Sequence, residues 1–453
     1  MRKKIATNEV LRLLRQYESR NVTFMETDGS WPIVFERAQG VHVWDAAGRK
    51  YLDLTAAFGV AAAGHANPRV VAAGRQQMGR LLHAMGDVHP HAPKALLARE
   101  LSRLTYERWA RVGQYSPQVH GKVIFCNSGF EAVEAALKTA FLLTKRKGVI
   151  AFKGAYHGLG YGALNATHRR HFRQPFLPQI KQFGRFLTYP ACLDDLLGVE
   201  AELRACLNQE PIGAVLVEPV QARGGIQVPP LEFFPVLRTL CSKYNVALIF
   251  DEIYTGFGRT GRWFACEHTA VVPDLICVGK AMAGGFPISA CVGRADYMDL
   301  AWPESNGEAI HTSTFLGHPV GCRMALAQIA ELQARHLPER SAKLGAFALQ
   351  ELQALARHLQ NTHPKLKADA RGQGLMLGLE LQFKDGTPAT QLSLAVIKDM
   401  LQRGYILLPE GEHANVISLT PPLTITQRQL KSTIAALGTS VRDCAARVRP
   451  ETL

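Results

Sequence analysis

Continuous apolar runs separated by stretches of helical periodicity are the feature that most limits the folds open to this 453-residue chain. The runs end at or next to Cys126, Phe152, Glu218, Asp251 and Lys280. A strand that is apolar along its whole length is usually buried on both faces, as in a parallel sheet that helices cover on both sides. The sequence therefore predicts an α/β fold with a large, mostly parallel sheet.

The two ends of the chain have a different pattern. Residues 40–53 look like a β-hairpin, and beyond about residue 330 long charged helices precede several short strands. This pattern predicts a smaller α+β domain built from both chain ends. The expected division is residues 1–65 for the N-terminal segment of the small domain, 66–330 for the large domain, and 331–453 for the C-terminal small domain.

Composition excludes several classes of protein. No apolar run approaches the roughly 18 residues of a membrane span, and the N-terminus lacks the apolar stretch of a secretory signal. The nine cysteines include no C-x-x-C pair, so neither a metal site nor a disulfide framework is expected, and a cytoplasmic location is predicted. The net charge of +14 is spread without a long basic arm, which favours anionic small molecules over nucleic acid as partners.

Two reactive side chains stand at the ends of buried strands. Lys280 closes the apolar run that begins at Leu275, and the pair Asp251 and Glu252 closes the run that begins at Val246. Pyridoxal phosphate requires an amine that forms an imine with its aldehyde and a carboxylate that pairs with its ring nitrogen. The two strand ends are therefore candidates for the two halves of a pyridoxal phosphate site.

Candidate phosphate and ring contacts precede these residues. Ser128, Gly129 and Glu131 follow a strand and open a helix that is expected to run to Lys147, and such a helix N-terminus can receive a phosphate group. Tyr156 lies in a glycine-flanked loop after the next strand, where it could lie flat on a heteroaromatic ring. The G-x-G-x-x-G string at 256–261 neither follows its strand directly nor opens a helix, so we read it as a shaped loop and not a dinucleotide site.

At this point the chain resembles the class III pyridoxal-phosphate aminotransferases, the family of ω-transaminases and 4-aminobutyrate aminotransferases. The strings that carry the resemblance run in order from about Trp31 to Leu430; they include residues 128–132, 156–158, 218–219, 251–261, 279–287, 313–315, 371–376 and 421–423. The resemblance implies the fold of aspartate-aminotransferase-like enzymes. It also implies a homodimer, or a tetramer, with shared active sites.

The resemblance implies a role for each matching residue. Lys280 would bond to the cofactor and shuttle the substrate proton, and Asp251 would keep the ring nitrogen protonated. Tyr254 stands where many relatives have glutamine near the ring hydroxyl, and Glu218 matches a glutamate that in relatives gates a substrate-binding arginine. The implied cofactor contacts are Ser128, Gly129, Phe130, Tyr156, His157, Glu218, Asp251, Ile253, Tyr254, Lys280 and, from the partner subunit, Thr314. The implied substrate contacts are Trp31, Phe58, Tyr156 and Glu218.

One departure from the family pattern concerns the substrate. Many relatives that use amino acids have an arginine, which grips the substrate carboxylate, where this chain has Ser418. The sequence therefore predicts an aminotransferase that moves an amino group from an amine or ω-amino acid to a 2-oxo acid such as pyruvate. The alternative is a racemase, aminomutase or decarboxylase on the same scaffold. The arginines of residues 169–173 are a candidate carboxylate site, against the simpler interpretation of a solvated basic surface.

Overall fold

The fold was analysed in a computed structural model of the chain, which describes residues 5–26, 29–111 and 119–447. The strands are β1 (Phe35–Gln39), β2 (His42–Asp45), β3 (Lys50–Asp53), β4 (Gly121–Cys126), β5 (Gly148–Phe152), β6 (Gly184–Leu187), β7 (Ile212–Val217), β8 (Ala247–Asp251), β9 (Leu275–Val278), β10 (Ser289–Arg294), β11 (Leu366–Gln373), β12 (Met376–Phe383), β13 (Tyr405–Ile406), β14 (Leu408–Glu410) and β15 (Val416–Leu419).

Helices separate most of these strands. They are α1 (Thr7–Tyr17), α2 (Ala56–Gly59), α3 (Pro68–Arg80), α4 (Ala92–Leu104), α5 (Tyr106–Trp109), α6 (Gly129–Thr144), α7 (Tyr161–Leu164), α8 (Arg170–Arg173), α9 (Leu196–Gln209), α10 (Phe233–Tyr244), α11 (Ala295–Ala301), α12 (Pro319–Ala334), α13 (Leu337–Thr362), α14 (Thr390–Gln402) and α15 (Gln427–Arg447). No helix in the described ranges is both long and apolar enough to cross a membrane.

A seven-stranded sheet forms the centre of the molecule, in the order β4-β10-β9-β8-β7-β5-β6. The run from β9 to β6 is parallel, and β10 pairs antiparallel with both β9 and β4. Every residue of β5, β7, β8 and β9 is buried, as predicted from their uninterrupted apolar character. Because β7, β8 and β9 run the same way, the residues that follow them emerge at one edge of the sheet.

Two smaller sheets contain the chain ends. The predicted hairpin is β2 paired with β3, and β13 from the C-terminal region adds to β3 in parallel, so one sheet joins an N-terminal and a C-terminal segment of the chain. The other sheet, β11-β12-β15-β14, is antiparallel. Its strands β12 and β15 carry buried residues that join the main hydrophobic core.

The structure differs from the prediction at the end of α6. The helix ends at Thr144, not near Lys147, because Lys145 takes a left-handed conformation with φ of 56°. Gly148 then begins β5, where its N–H donates to the carbonyl of Pro211 at 3.0 Å. A Cβ at Gly148 would lie 2.7 Å from Ile212 Cδ1, so this glycine permits the close approach of β5 to β7. The antiparallel strand β10 was also not predicted.

Candidate active site

A cavity of about 570 Å³ opens at the edge of the large sheet where β7, β8 and β9 end. Its wall includes nine residues that the sequence analysis proposed as site residues: Gly129, Phe130, Tyr156, His157, Glu218, Asp251, Ile253, Tyr254 and Lys280. Residues that are up to 151 positions apart in the chain (Gly129 and Lys280) therefore face one space. The cavity is large enough for a cofactor together with a small substrate.

Asp251 is the last residue of β8, and the backbone holds its carboxylate in place. Oδ1 accepts a hydrogen bond from the N–H of Ile253 at 3.1 Å, and Oδ2 lies 2.8 Å from Nδ1 of His157. The two side chains are almost completely buried. Nε2 of His157 is buried and has no hydrogen-bond partner in the structure. A fixed carboxylate of this kind can stabilise a cationic ring nitrogen.

Glu252, next to Asp251, has a different role. Its side chain is fully buried and accepts hydrogen bonds from the N–H groups of Ala265 and Cys266, each at 2.8 Å, and from the Thr255 hydroxyl at 2.6 Å. Burial raises the pKa of Glu252 to about 7, although these donors act in the opposite direction. The carboxylate thus fastens the loop after β8, and only Asp251 of the pair lines the cavity.

Lys280 follows β9 after Gly279, and it lines the same cavity as Gly129 and Phe130 at the N-terminus of α6. Its φ of +37° is a left-handed conformation, which is strained for a residue with a side chain. Burial lowers the pKa of its amine to about 8, while Asp251 and Glu218 raise it and Arg223 lowers it. The amine is therefore partly neutral near pH 8, the form that acts as a nucleophile.

The N-terminus of α6 forms another part of the wall. Glu131 accepts hydrogen bonds from the backbone N–H groups of Asn127 and Ser128, at 2.7 and 2.8 Å. The Ser128 hydroxyl is buried and faces the Glu131 N–H in a capping box, but no described residue meets full hydrogen-bond geometry with it. Gly158 lies against this turn, and a Cβ on it would come within 2.3 Å of the Phe130 Cβ. The turn is therefore tightly enclosed and carries a polar group that lacks a partner.

Glu218 and Tyr156 meet across the carboxyl ends of β7 and β5. A Glu218 oxygen accepts the backbone N–H of Tyr156 at 3.0 Å, and burial raises the pKa of Glu218 to about 7. The Tyr156 ring contacts Phe172 edge to face, with 5.5 Å between centroids. Glu218 thus orients the tyrosine loop, and among the described residues it forms no salt bridge with an arginine.

A charged pair that the sequence did not predict lies at the cavity wall. Arg223, in the loop after β7, lines the cavity, and its Nη1 lies 3.5 Å from a carboxylate oxygen of Glu410 in β14. Its guanidinium carbon is 5.6 Å from the centroid of the Tyr156 ring. Glu410 is buried, and burial raises its pKa to about 7 against the opposing effect of Arg223. The position of Arg223 after a parallel strand was the signal that could have identified it.

Several expected site residues do not line this cavity. They are Trp31, Phe58, Ser128 and Thr314. Phe58 and Thr314 are exposed on the surface, Trp31 packs against the core, and Ser128 is the N-cap residue directly before Gly129. Ser418 is buried in β15, where its hydroxyl donates to the carbonyl of Leu408 at 3.1 Å. The arginines of residues 169–173 are half-buried or exposed outside the cavity wall.

These features fit pyridoxal phosphate. A helix N-terminus with an unpartnered buried hydroxyl suits a phosphate group, a fixed buried carboxylate suits a ring nitrogen, and an amine of lowered pKa suits an aldehyde. All three face one cavity, or lie directly behind its wall. The donor set therefore matches the three polar ends of that cofactor.

Comparisons with known proteins agree with this site. Residues 24–441 match the family model described as aminotransferase class-III. A putrescine aminotransferase from Pectobacterium atrosepticum is 36% identical over 93% of this chain and 86% of the relative. A 5-aminovalerate aminotransferase from Pseudomonas aeruginosa is 36% identical over 90% and 93%, respectively.

A solved ornithine aminotransferase from Toxoplasma gondii, described with partial occupancy of pyridoxal phosphate, superposes with a TM-score of 0.82 at 28% identity and covers 98% of this chain and 96% of its own. The chain therefore belongs to the class III aminotransferases. It is an enzyme that transfers amino groups with pyridoxal phosphate as cofactor, and the predicted fold class is confirmed.

Proposed function

We propose that this class III aminotransferase moves an amino group from an amine or ω-amino acid to a 2-oxo acid such as pyruvate, with Lys280 as its catalytic amine. The observation that carries the proposal is the meeting of Lys280, Asp251 and the N-terminus of α6 around one cavity. The relatives named for putrescine and 5-aminovalerate support a donor with a terminal amine. The two donors in these names differ at their other end, where putrescine has a second amine and 5-aminovalerate has a carboxylate.

Each wall of the cavity has a distinct task in this proposal. When bound, pyridoxal phosphate supplies an electron-withdrawing ring that stabilises negative charge on the substrate carbon. Asp251 holds a proton at the ring nitrogen, because its fixed carboxylate favours the cationic form. Nζ of Lys280 takes the proton from the carbon of the amine donor. In the second half of the reaction it gives a proton to the carbon of the acceptor. Its pKa of about 8 suits both directions near neutral pH.

We propose that Arg223 binds the acceptor carboxylate in place of an arginine at position 418. Arg223 is the arginine on the cavity wall in the described part of the chain, whereas Ser418 is buried and bonded to a backbone carbonyl. In the resting enzyme Glu410 neutralises Arg223. A carboxylate that enters the cavity can replace Glu410 as partner of the guanidinium, which offers two parallel N–H donors.

We also propose a homodimer in which Thr314 of a second copy completes the phosphate end of the site. Thr314 lies outside the cavity of its own chain. The surface near it carries exposed apolar side chains, including Phe315 and Ile310, and Phe315 contacts His83 with 5.3 Å between ring centroids. Apolar surface of this kind favours burial against another protein surface.

A substrate panel tests the reaction. Purified enzyme is incubated with putrescine, 5-aminovalerate or butylamine, each with pyruvate or 2-oxoglutarate, and the amino product is quantified. Stoichiometric alanine from pyruvate, with no turnover when the oxo acid is omitted, is the expected result. Ornithine, a chiral α-amino acid, is added as a further donor. Its racemisation, rearrangement or decarboxylation in the absence of any oxo acid would refute the proposal and support the alternative reaction classes.

A further inference from the structure

The ring of Tyr254 lies directly beneath the amine of Lys280. Nζ of Lys280 is 3.9 Å from the centroid of the Tyr254 ring. Among the described residues, Lys280 takes part in no salt bridge and no side-chain hydrogen bond, so the ring face of Tyr254 is the contact recorded for Nζ. A cation over an aromatic face at this distance is attracted to the negative charge of the ring face.

Two contacts hold the ring in this position, one at its hydroxyl and one at its edge. The Tyr254 hydroxyl lies 3.2 Å from Oγ1 of Thr420, and the Thr420 hydroxyl donates to the carbonyl of Thr55 at 3.3 Å. Tyr254 is therefore the donor to Thr420. A Cβ at Gly59 would lie only 2.9 Å from Cε1 of Tyr254, so the backbone presses against the ring edge.

The segment that presses on the ring is itself strained. Ala56, Ala57, Phe58 and Gly59 all have positive φ, from 46° to 83°. Three of the four have side chains, and residues with side chains rarely adopt such angles. Such strain persists only where the surrounding structure holds the backbone in place, and Gly59 of this segment packs against the Tyr254 ring. The ring is thus a rigid platform, and its hydroxyl is committed to Thr420, away from the amine.

We propose that Tyr254 is a positioning residue for Lys280: the face of its ring is the seat of the Lys280 ammonium group whenever the amine is not bonded to the cofactor. This inference rests on the proposed catalytic role of Lys280. An amide side chain at this position would accept a directional hydrogen bond from the ammonium group. An aromatic face attracts the cation without such a bond, so the amine stays close to the substrate carbon and remains free to move.

The charged groups around the amine set the direction of the expected effect. Asp251 at the end of β8, Glu218 after β7 and Glu410 in β14 favour the ammonium form, and Arg223 disfavours it. Burial disfavours it most. The ring face adds to the groups that favour the cation, so its removal should lower the pKa of Lys280.

Tyr254→Phe and Tyr254→Leu test this proposal as a matched pair. Phenylalanine keeps the ring face and loses the hydroxyl, whereas leucine keeps an apolar side chain and loses the ring. Full-length enzyme freed of cofactor is trace-labelled with acetic anhydride from pH 6 to 10. Mass spectrometry measures labelling of Lys280 relative to the exposed Lys147. Thr420→Val removes the hydrogen-bond partner of the tyrosine hydroxyl, so it shows the effect of losing that hydrogen bond alone.

The expected result is a labelling midpoint for Lys280 about one pH unit lower in Tyr254→Leu, a tenfold change in the protonation equilibrium, and a midpoint within about 0.3 unit of wild type in Tyr254→Phe. In the cofactor-loaded enzyme kcat should fall much further in the leucine variant than in the phenylalanine variant, with the donor KM nearly constant. Unchanged midpoints in both variants would overturn the proposal. Equal shifts in both variants and in Thr420→Val would also overturn it, because they would show that the effect comes from loss of the Tyr254–Thr420 hydrogen bond and not from loss of the ring face.

The labelling result does not depend on the substrates. If the panel of amines and oxo acids shows no transamination, the proposed function fails while the midpoints still report on the ring. If transamination occurs and the midpoints do not move, only the role of Tyr254 fails.

Discussion

Replacement of Arg223 by methionine separates recognition of the acceptor carboxylate from the rest of catalysis. Methionine keeps much of the side-chain length and removes the charge. Pyruvate and propanal are two three-carbon acceptors, of which only pyruvate carries a carboxylate. Their carbonyl groups also differ, ketone against aldehyde, so the ratio of the two acceptors is compared between the variant and the wild type. We expect Arg223→Met to lower kcat/KM for pyruvate much more than kcat/KM for propanal, with the same amine donor.

The size of the effect follows from the surroundings of the guanidinium. A hydrogen bond between charged groups contributes about 1.5–3 kcal/mol. The Arg223 side chain is 30% exposed, so solvent screening favours the lower half of that range. A loss of about 1.5–2 kcal/mol corresponds to a roughly 10- to 30-fold fall in the pyruvate-to-propanal ratio. The ratio cancels any general damage to the site, because both acceptors use the same Lys280.

Two further variants serve as controls for this measurement. Arg170→Met removes an exposed arginine of the basic cluster and should leave the ratio unchanged. Glu410→Gln removes the resting partner of Arg223 and should lower the KM for pyruvate, since the guanidinium no longer has a competing carboxylate. An equal fall for both acceptors in Arg223→Met would refute the carboxylate assignment. A fall of the ratio in Arg169→Met but not in Arg223→Met would place the carboxylate at the basic cluster.

Three further predictions concern the cofactor site and the dimer. Asp251→Asn should fold normally, by circular dichroism, and lose well over tenfold in kcat; a loss below about tenfold, or 1.4 kcal/mol, would contradict the role of the carboxylate. The pKa of Lys280 falls from 10.5 to about 8 on folding, so burial of the ammonium group lowers the free energy of unfolding of the cofactor-free chain. This destabilisation is complete below pH 8 and disappears as the pH rises to about 10.5. Lys280→Met should therefore stabilise the cofactor-free chain by up to about 3 kcal/mol at pH 7 and by little near pH 10.5, as measured by urea unfolding; equal stability of the two chains at pH 7 would contradict the lowered pKa. Co-refolding of Lys280→Ala with Thr314→Ala, each impaired alone, should restore part of the activity, because hybrid dimers contain one site with neither change, and a fully active monomer by light scattering would exclude the shared site.

The sequence by itself determined the central sheet and the two reactive ends of its strands. β7 and β8 are apolar at nearly every position, and such strands are stable only where helices cover both faces. The polar residue that ends each run must then emerge at the sheet edge, so the sequence predicts that Asp251 and Lys280 meet there. Burial is a property of each short segment, so the local pattern is sufficient to predict it.

The tertiary structure alone decided which distant side chains meet in the cavity. Arg223 and Glu410 are 187 positions apart, and their pairing depends on the paths of the loop after β7 and of β14. The seat of Lys280 on Tyr254 likewise depends on the strained turn at 56–59 and on Thr420. The contribution of Glu252 to the loop after β8, in contrast to that of Asp251, was also visible only in three dimensions. These contacts arise from loop conformations and from packing between segments far apart in the chain, and neither has a periodicity that a sequence pattern can reveal.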